Sequence, residues 1–304
     1  MRACVMLEPQ DGLSYEQILH VARLARQIGL EGTFRSDHYQ GFGGRTDGPA
    51  TDAWATLAGL VREVADGVVG TLVSPLTFRH AGNLGKVVAT VASMSTGPKV
   101  ELGVGTGWNP SEHTAYDFDF GSFDHRFRRL PRYLEVVKGI LAGAAVDGTA
   151  SHPAAPDVRI IVGGGGPRRT PRLAARYADE LNLVMMPPDA VADRVKTCRD
   201  FVKAEGRPPD AVRFSWMGPF IVGRTEAEVE ERAARLGAPR GAPADAVLSR
   251  MKGAGAVGTV SDVSAFLERL GEAGVTRVML QHLLVDDDEH LTLGAEAAVA
   301  AGVA

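Results

Sequence analysis

Histidine and arginine recur just after short apolar runs in this chain, where side chains can act on a bound ligand. The segments are Arg35-Ser36-Asp37-His38-Tyr39, Ser74-Pro75-Leu76-Thr77-Phe78-Arg79-His80, and Gly105-Thr106-Gly107-Trp108-Asn109-Pro110-Ser111-Glu112-His113. Gly163-Gly164-Gly165-Gly166-Pro167-Arg168-Arg169 is a fourth, and a late run ends in Gln281-His282. The glycine run admits two readings. Residues without Cβ let the backbone approach a ligand and expose N–H groups, and Pro167 is expected to open a helix whose positive end faces the loop. A phosphate or another anion fits there; a tight strand-to-helix turn without ligand is the other reading. No Gly-Lys-Ser/Thr follows, so it is not a P-loop, and Gly103-Val104-Gly105-Thr106-Gly107 carries its third glycine one position early for a dinucleotide fingerprint. His38 is equally open: it can donate to a cofactor or act as acid or base, or tie its loop to backbone. His80 and His113 read as structural. Neither a zinc-type Cys/His spacing nor a Gly-x-Ser-x-Gly elbow is present, so no metal is expected.

These segments follow predicted strands that alternate with helices. Strands are expected at Ala3–Leu7, Gly32–Phe34, Val68–Val73, Val100–Val104, Arg159–Val162, Leu181–Met185, Arg213–Val222 and Arg277–Leu280. The intervening helices include Tyr15–Ile28 with Ser14 as cap, Asp52–Val64, Gly82–Met94, Phe127–Leu141, Arg172–Tyr177, Val191–Ala204, Glu226–Leu236 and Val263–Ala273, with a last one at Ala295–Ala301. Parallel neighbours need crossovers, and eight βα units favour an α/β fold of the (β/α)8 TIM-barrel type, in one domain over residues 1–304. Gly143–Asp157 reads as a loop. In such a barrel the loops after the strands carry the site.

Composition narrows the class. The 304 residues are 45% hydrophobic and 23% charged, with a formal net charge of −4. That lacks the basic footprint of a nucleic-acid binder. No apolar run is long enough for a membrane span, no secretory signal is read at the start, and Cys4 and Cys198 make no disulfide framework. A cytoplasmic protein is expected. Its partners should be a small-molecule substrate, with a homodimer allowed, and neither nucleic acid nor membrane.

Taken together, Phe34–Tyr39, Asp52-Ala53-Trp54, Gly70–His80, Leu102–Asn109 with Glu112-His113, Ile161–Gly166 and Val278–His282 resemble the luciferase-like monooxygenase superfamily, in particular its coenzyme F420-dependent oxidoreductases. The resemblance runs nearly end to end and in order. It implies a luciferase-like barrel holding a deazaflavin at the strand C-termini, with Asp37 and His38 near the ring. Val73 and Ser74 fall where the family has a bulge and a non-proline cis peptide. Thr106 and Gly107 would line the cofactor, Gly163, Gly164, Gly165 and Gly166 would hold its phosphate, and Arg126 would approach the phosphate side. Trp108 stands where the family's sugar-phosphate dehydrogenases carry a glutamate, which argues against that substrate. Pro131 is expected to displace the start of its helix by a turn, and the short 143–157 region leaves the lid open.

The implied function is an F420-dependent oxidoreductase that moves a hydride between deazaflavin C5 and a small organic substrate, with His38 as the catalytic group. The alternatives are an FMN-dependent monooxygenase, a flavin-binding protein without turnover, and, least favoured, a metal-dependent barrel hydrolase.

Overall fold

The computed structural model describes residues 1–41, 49–144 and 152–302. Its first strand, β1 (Arg2–Leu7), shows how the sequence divides the molecule into two cores. Alternate strand residues point to opposite faces. Ala3, Val5 and Leu7 join the large cluster between strands and helices, whereas Cys4 and Met6 join a small one inside the ring, with Phe34, Ile161 and Met279.

The chain then runs α1 (Tyr15–Gln27), β2 (Gly32–Arg35), α2 (Ala53–Glu63), β3 (Val68–Pro75), α3 (Ala81–Met94) and β4 (Lys99–Gly105). Next come α4 (Pro110–Ala115), α5 (Phe123–Leu141), β5 (Arg159–Gly163), α6 (Arg169–Tyr177), β6 (Glu180–Val184), α7 (Pro188–Ala204) and β7 (Arg213–Gly223). The last part is α8 (Glu226–Gly237), α9 (Ala244–Met251), β8 (Ala256–Thr259), α10 (Val260–Glu272), β9 (Arg277–Gln281) and α11 (Asp288–Ala300). All strand pairs are parallel. β1 through β6 lie in order, β9 pairs with β1 and β7, and β6 pairs with β7, which closes an eight-stranded (β/α)8 barrel.

Three elements were not expected: α4, which follows β4, and the pair α9 and β8. α9 and β8 form an excursion between α8 and α10, and β8 pairs only with the outer half of β7, Phe220–Gly223. β8 is thus outside the ring, and the eighth barrel strand is β9, at the expected position.

Local signals explain most of the helix boundaries. Ser14 caps α1 through a reciprocal pair with Gln17, and Asp52 accepts from the Ala55 N–H at 2.9 Å to start α2. Three expectations need correction. α11 starts at Asp288, seven residues before the expected Ala295, because Asp287 accepts from the His290 N–H. α5 starts at Phe123, four residues before the expected Phe127, because Ser122 accepts from the His125 N–H, and the helix runs through Pro131 at the cost of one backbone bond. Pro167 does not open α6; Arg168 is its N-cap and Arg169 its first residue. The expected 143–157 loop lies partly outside the described residues, which resume at His152.

The N-terminal end of the barrel is plugged by charge. Buried Arg277 lies 2.7 Å from Glu180 and also pairs with Glu101 and Glu31, while Arg213 reaches Glu180 at 3.0 Å. Such a cluster is tolerable in a low-dielectric interior because every charge has an opposite partner. Cys4 lies above it, and burial pushes its thiol well above the ordinary range.

Candidate active site

At the other end, the C-terminal ends of the strands surround a cavity of about 540 Å³. Its apolar wall is built by Leu72, Val73, Val184, Met185, Met217 and Met251, and its polar groups include Ser36, His38, Asn182, Gln281 and Glu8. That combination of an apolar cleft with a few convergent polar groups is the usual character of a small-molecule site. A larger cavity, about 870 Å³, opens at the opposite end beside Arg2, Lys99 and Asp179. It lies on the face where barrel conservation and packing serve stability, not chemistry.

β3 shapes the wall. A non-proline cis peptide joins Leu72 to Val73, and the register against β4 shifts between Thr71 and Ser74. This is where the family resemblance placed a bulge and a cis bond. The bulge directs the Val73 side chain sideways, and three glycines make room for it. A Cβ on Gly103, Gly105 or Gly163 would come within 2.8, 2.7 or 2.9 Å of a Val73 methyl. Much of the glycine pattern in β4 and β5 is therefore a packing requirement of this wall.

His38 lines the cavity from the end of β2. Its Nδ1 lies 2.9 Å and 3.1 Å from the two carboxylate oxygens of Glu112, and its ring meets Trp108 edge-on at 5.7 Å. Trp108 stands at the mouth with 62% of its surface exposed. Glu112 comes from α4, which begins at Pro110 after Asn109 accepts from the Ser111 N–H. His113, on the same helix, is buried and bonded to the Asn109 carbonyl and Thr77, which is a structural role.

Asp37 sits beside His38 in sequence but faces away. Its carboxylate accepts from Ser74 Oγ at 2.6 Å and from both Arg79 terminal nitrogens. Arg79 also pairs with Asp52 and with the Tyr39 hydroxyl, and the Trp54 indole N–H donates to Ser74. Asp37 and Ser74 thus belong to a buried network behind the cavity.

Of the other expected site residues, Thr106, Gly107, Gly163 and Gly164 line the cavity with His38 and Val73. Gly164 adopts φ +144°, which favours glycine, and its N–H donates to the Asn182 carbonyl. Gly165 and Gly166 continue along the rim toward α6, outside the lining residues. Arg126 also stands outside, with its guanidinium against the carbonyls of Phe120, Gly121 and Gly107 and 3.6 Å over the Phe120 ring. Its Nε is buried without a hydrogen bond, and burial lowers its proton affinity.

Sequence reasoning missed Glu112, Asn182, Glu8 and the methionine wall. Asn182 donates from Nδ2 to Ser215 at 2.8 Å, while its buried Oδ1 accepts no hydrogen bond. Glu8 accepts from Gln10 and from Gln281, which fixes a carboxylate at the cavity edge. For Glu8 the available signal was its place just after β1, whereas Asn182 lies within β6, where residue type alone does not single it out.

A parallel barrel with an apolar cleft at its C-terminal face, a cis-peptide bulge in β3 and a histidine after β2 defines the class of protein. The family model for luciferase-like monooxygenases matches residues 3–299, and the chain belongs to that family. An F420-dependent glucose-6-phosphate dehydrogenase of Microbacterium testaceum is 32% identical over 174 residues, 54% of this chain and 51% of the relative. A 5,10-methylenetetrahydromethanopterin reductase of Methanolobus tindarius is 25% identical over 226 residues, 71% of this chain and 65% of the relative. The chain thus spans about half the length of the glucose-6-phosphate dehydrogenases it matches. In fold it is similar to an F420-dependent secondary alcohol dehydrogenase bound to an F420-acetone adduct (TM-score 0.80, 17% identity, 99% of this chain and 98% of that one). It is likewise similar to EDTA monooxygenase from Chelativorans sp. BNC1 (TM-score 0.82, 16% identity, 99% and 93%).

Proposed function

We propose that this protein is an F420-dependent oxidoreductase acting on a small organic substrate at the C-terminal face of the barrel. The observation that carries the reading is the cleft itself: an apolar wall set by the Val73 bulge, faced by a histidine held on a buried carboxylate. The relatives named as F420-dependent glucose-6-phosphate dehydrogenases support the choice of cofactor.

The residues fit a deazaflavin. Leu72, Val73 and Met217 offer a flat apolar surface to a ring system, and the unpartnered Oδ1 of Asn182 matches the N–H edge of a flavin-like pyrimidine. Thr106, Gly107, Gly163 and Gly164 bring backbone close to the cavity, and Gly165 and Gly166 continue that approach along the rim toward the phosphate side. Bound there, F420 supplies a hydride donor or acceptor at C5. The protein's own work is to exclude water with the apolar wall, orient the substrate, and hold or supply a proton where charge develops. His38 is the group that does this, through hydrogen bonding or proton transfer. Trp108 at the mouth, in place of a carboxylate, favours an uncharged or aromatic portion of substrate over a sugar phosphate.

A fluorescence titration of the purified protein with F420 and with FMN tests the reading. Tighter binding of F420 is expected. Tighter binding of FMN would transfer the protein to the oxygen-activating monooxygenases, whose barrel is equally similar in fold.

A further inference from the structure

We propose that Glu112 is a positioning residue: its buried carboxylate fixes His38 as the imidazole tautomer protonated on Nδ1, so that the ring acts through Nε2. The proposal rests on the reading of His38 as the group acting on substrate, but its first test is independent of turnover.

The donor inventory makes the argument. Glu112 is 1% exposed, and three contacts converge on its two oxygens. The backbone N–H of Tyr39, which can only donate, lies 3.1 Å from Oε2. His38 Nδ1 lies 2.9 Å from Oε1 and 3.1 Å from Oε2. An ionised carboxylate offers acceptors only, so the imidazole nitrogen facing it must carry the hydrogen. With Nδ1–H pinned, a neutral ring keeps its lone pair on Nε2 and a protonated ring carries its acidic hydrogen there. The ring can be neither rotated nor tautomerised without leaving a buried carboxylate oxygen unpaired, which is strongly unfavourable for a charged group. The histidine and the carboxylate come from different βα loops, 74 residues apart, so the contact is tertiary. Tyr39 supplies the lever that makes it rigid, because the same oxygen pair holds the backbone of the residue next to His38.

Glu112→Gln is the decisive variant because it keeps size and removes one acceptor. The Tyr39 N–H holds the amide oxygen at the Oε2 position. The amide nitrogen then falls at the Oε1 position, 2.9 Å from Nδ1. Two donors face each other there, and an Nδ1–H would keep only the longer 3.1 Å contact to an amide oxygen already taken by Tyr39, so the ring should switch to the Nε2–H form and accept on Nδ1. Glu112→Asp keeps an acceptor-only group and should retain Nδ1–H.

The readout is the long-range 1H–15N spectrum of His38 in protein labelled with 15N-histidine, recorded at alkaline pH without cofactor. The wild type should show a pyrrole-like Nδ1 and a pyridine-like Nε2. Glu112→Gln should exchange the two signatures, and Glu112→Asp should not. In turnover, kcat of Glu112→Gln should fall about 10²-fold with KM little changed, the scale of a misplaced acid–base group. A wild-type Nε2–H tautomer, or an Nδ1–H signature that survives in Glu112→Gln, overturns the proposal. If the signatures exchange while kcat holds, Glu112 sets the tautomer as proposed and the catalytic reading of His38 is what fails.

Discussion

Acidification should destabilise this protein well above the range where carboxylates titrate, because two histidines are buried neutral under α11. His282, just after β9, and His290, in α11, are both inaccessible, with their Nδ1 atoms 3.3 Å apart and Phe220 stacked on His290 at 4.1 Å. Burial pushes His282 down to about 4, against the pull of Asp287, Asp288 and Asp286. Burial, then the neighbouring His282, then Arg232, push His290 down to about 3. The Nε2 atom of each lacks a hydrogen bond, so a proton added there would have no acceptor. The unfolded chain binds protons on these rings near pH 6.5 and the native state does not. Stability is therefore full above that value and falls as pH drops toward the folded-state values.

With one tenfold step in proton affinity worth about 1.4 kcal/mol, His282 alone costs roughly 2 kcal/mol between pH 7 and pH 5. That is a large part of a typical net stability of about 5–15 kcal/mol. Asp287 does not confuse the window. Burial would raise it, but hydrogen bonds from Arg232 and from the His290 backbone hold it at about 2, so its contribution is lost only as pH falls below the ordinary aspartate range. Urea unfolding followed by circular dichroism at the two pH values measures the loss. The double variant His282→Leu/His290→Leu should flatten it, whatever its absolute stability. A wild type equally stable at both pH values, or a double variant with an unchanged slope, would refute the assignment.

His38→Ala should lower kcat by about 10²- to 10⁴-fold with a smaller change in cofactor Kd, and His38→Asn should not restore it; near-normal turnover in both removes the residue from the mechanism. Gly165→Val should weaken cofactor binding while leaving the circular dichroism spectrum unchanged. A Cβ at Gly165 meets only Met186 Sδ at 3.4 Å, so the fold tolerates it, and unchanged affinity would show that no phosphate approaches this backbone. Arg277→Met should destabilise the protein by about 3–5 kcal/mol in urea unfolding, because Glu101 and Glu180 would keep their buried charges with Arg213 as the remaining partner; a change under about 1 kcal/mol would contradict the plug.

How much of this was legible in the sequence depended on the range of the cause. The eight barrel strands and most helices were readable because their signals are local: period, a cap such as Ser14, a stop such as Gly29. β8 was not, since Ala256-Val257-Gly258-Thr259 is four residues long and pairs only with the tail of β7. α9 has one buried residue, Met251, and so carries no clear apolar stripe. In the site, residue type and position after a strand singled out His38, and the family resemblance added Thr106 and Gly107; all three line the cavity. The resemblance also put Asp37 beside them, and here direction mattered: the side chain after β2 that faces the ring's exterior finds Arg79 and Ser74. The glycines were legible as a demand for backbone space, but their spacing does not say what fills it. At Gly105 and Gly163 the filler is Val73, which lies in a different strand beside a bulge, and at Gly103 the Thr71 carbonyl comes closer still.

The network around His38 explains why a loop residue can be held accurately enough for chemistry. Asp37, before it, is clamped by Ser74 and Arg79; Tyr39, after it, is clamped at the backbone by Glu112 and at the hydroxyl by Asp52. Arg79 joins the two clamps, since it bonds Asp37, Asp52 and the Tyr39 hydroxyl together. Three consecutive residues are thus tied to β3, α2 and α4 before any ligand arrives. Orientation fixed in advance costs nothing at the moment of reaction, whereas a loop ordered by substrate would draw on binding energy. The charged groups that looked like candidates for chemistry, Asp37 and Arg79, are more valuable as the frame. Because they neutralise each other in a buried pair, they form a fixed support behind the loop whose imidazole is proposed to handle the proton.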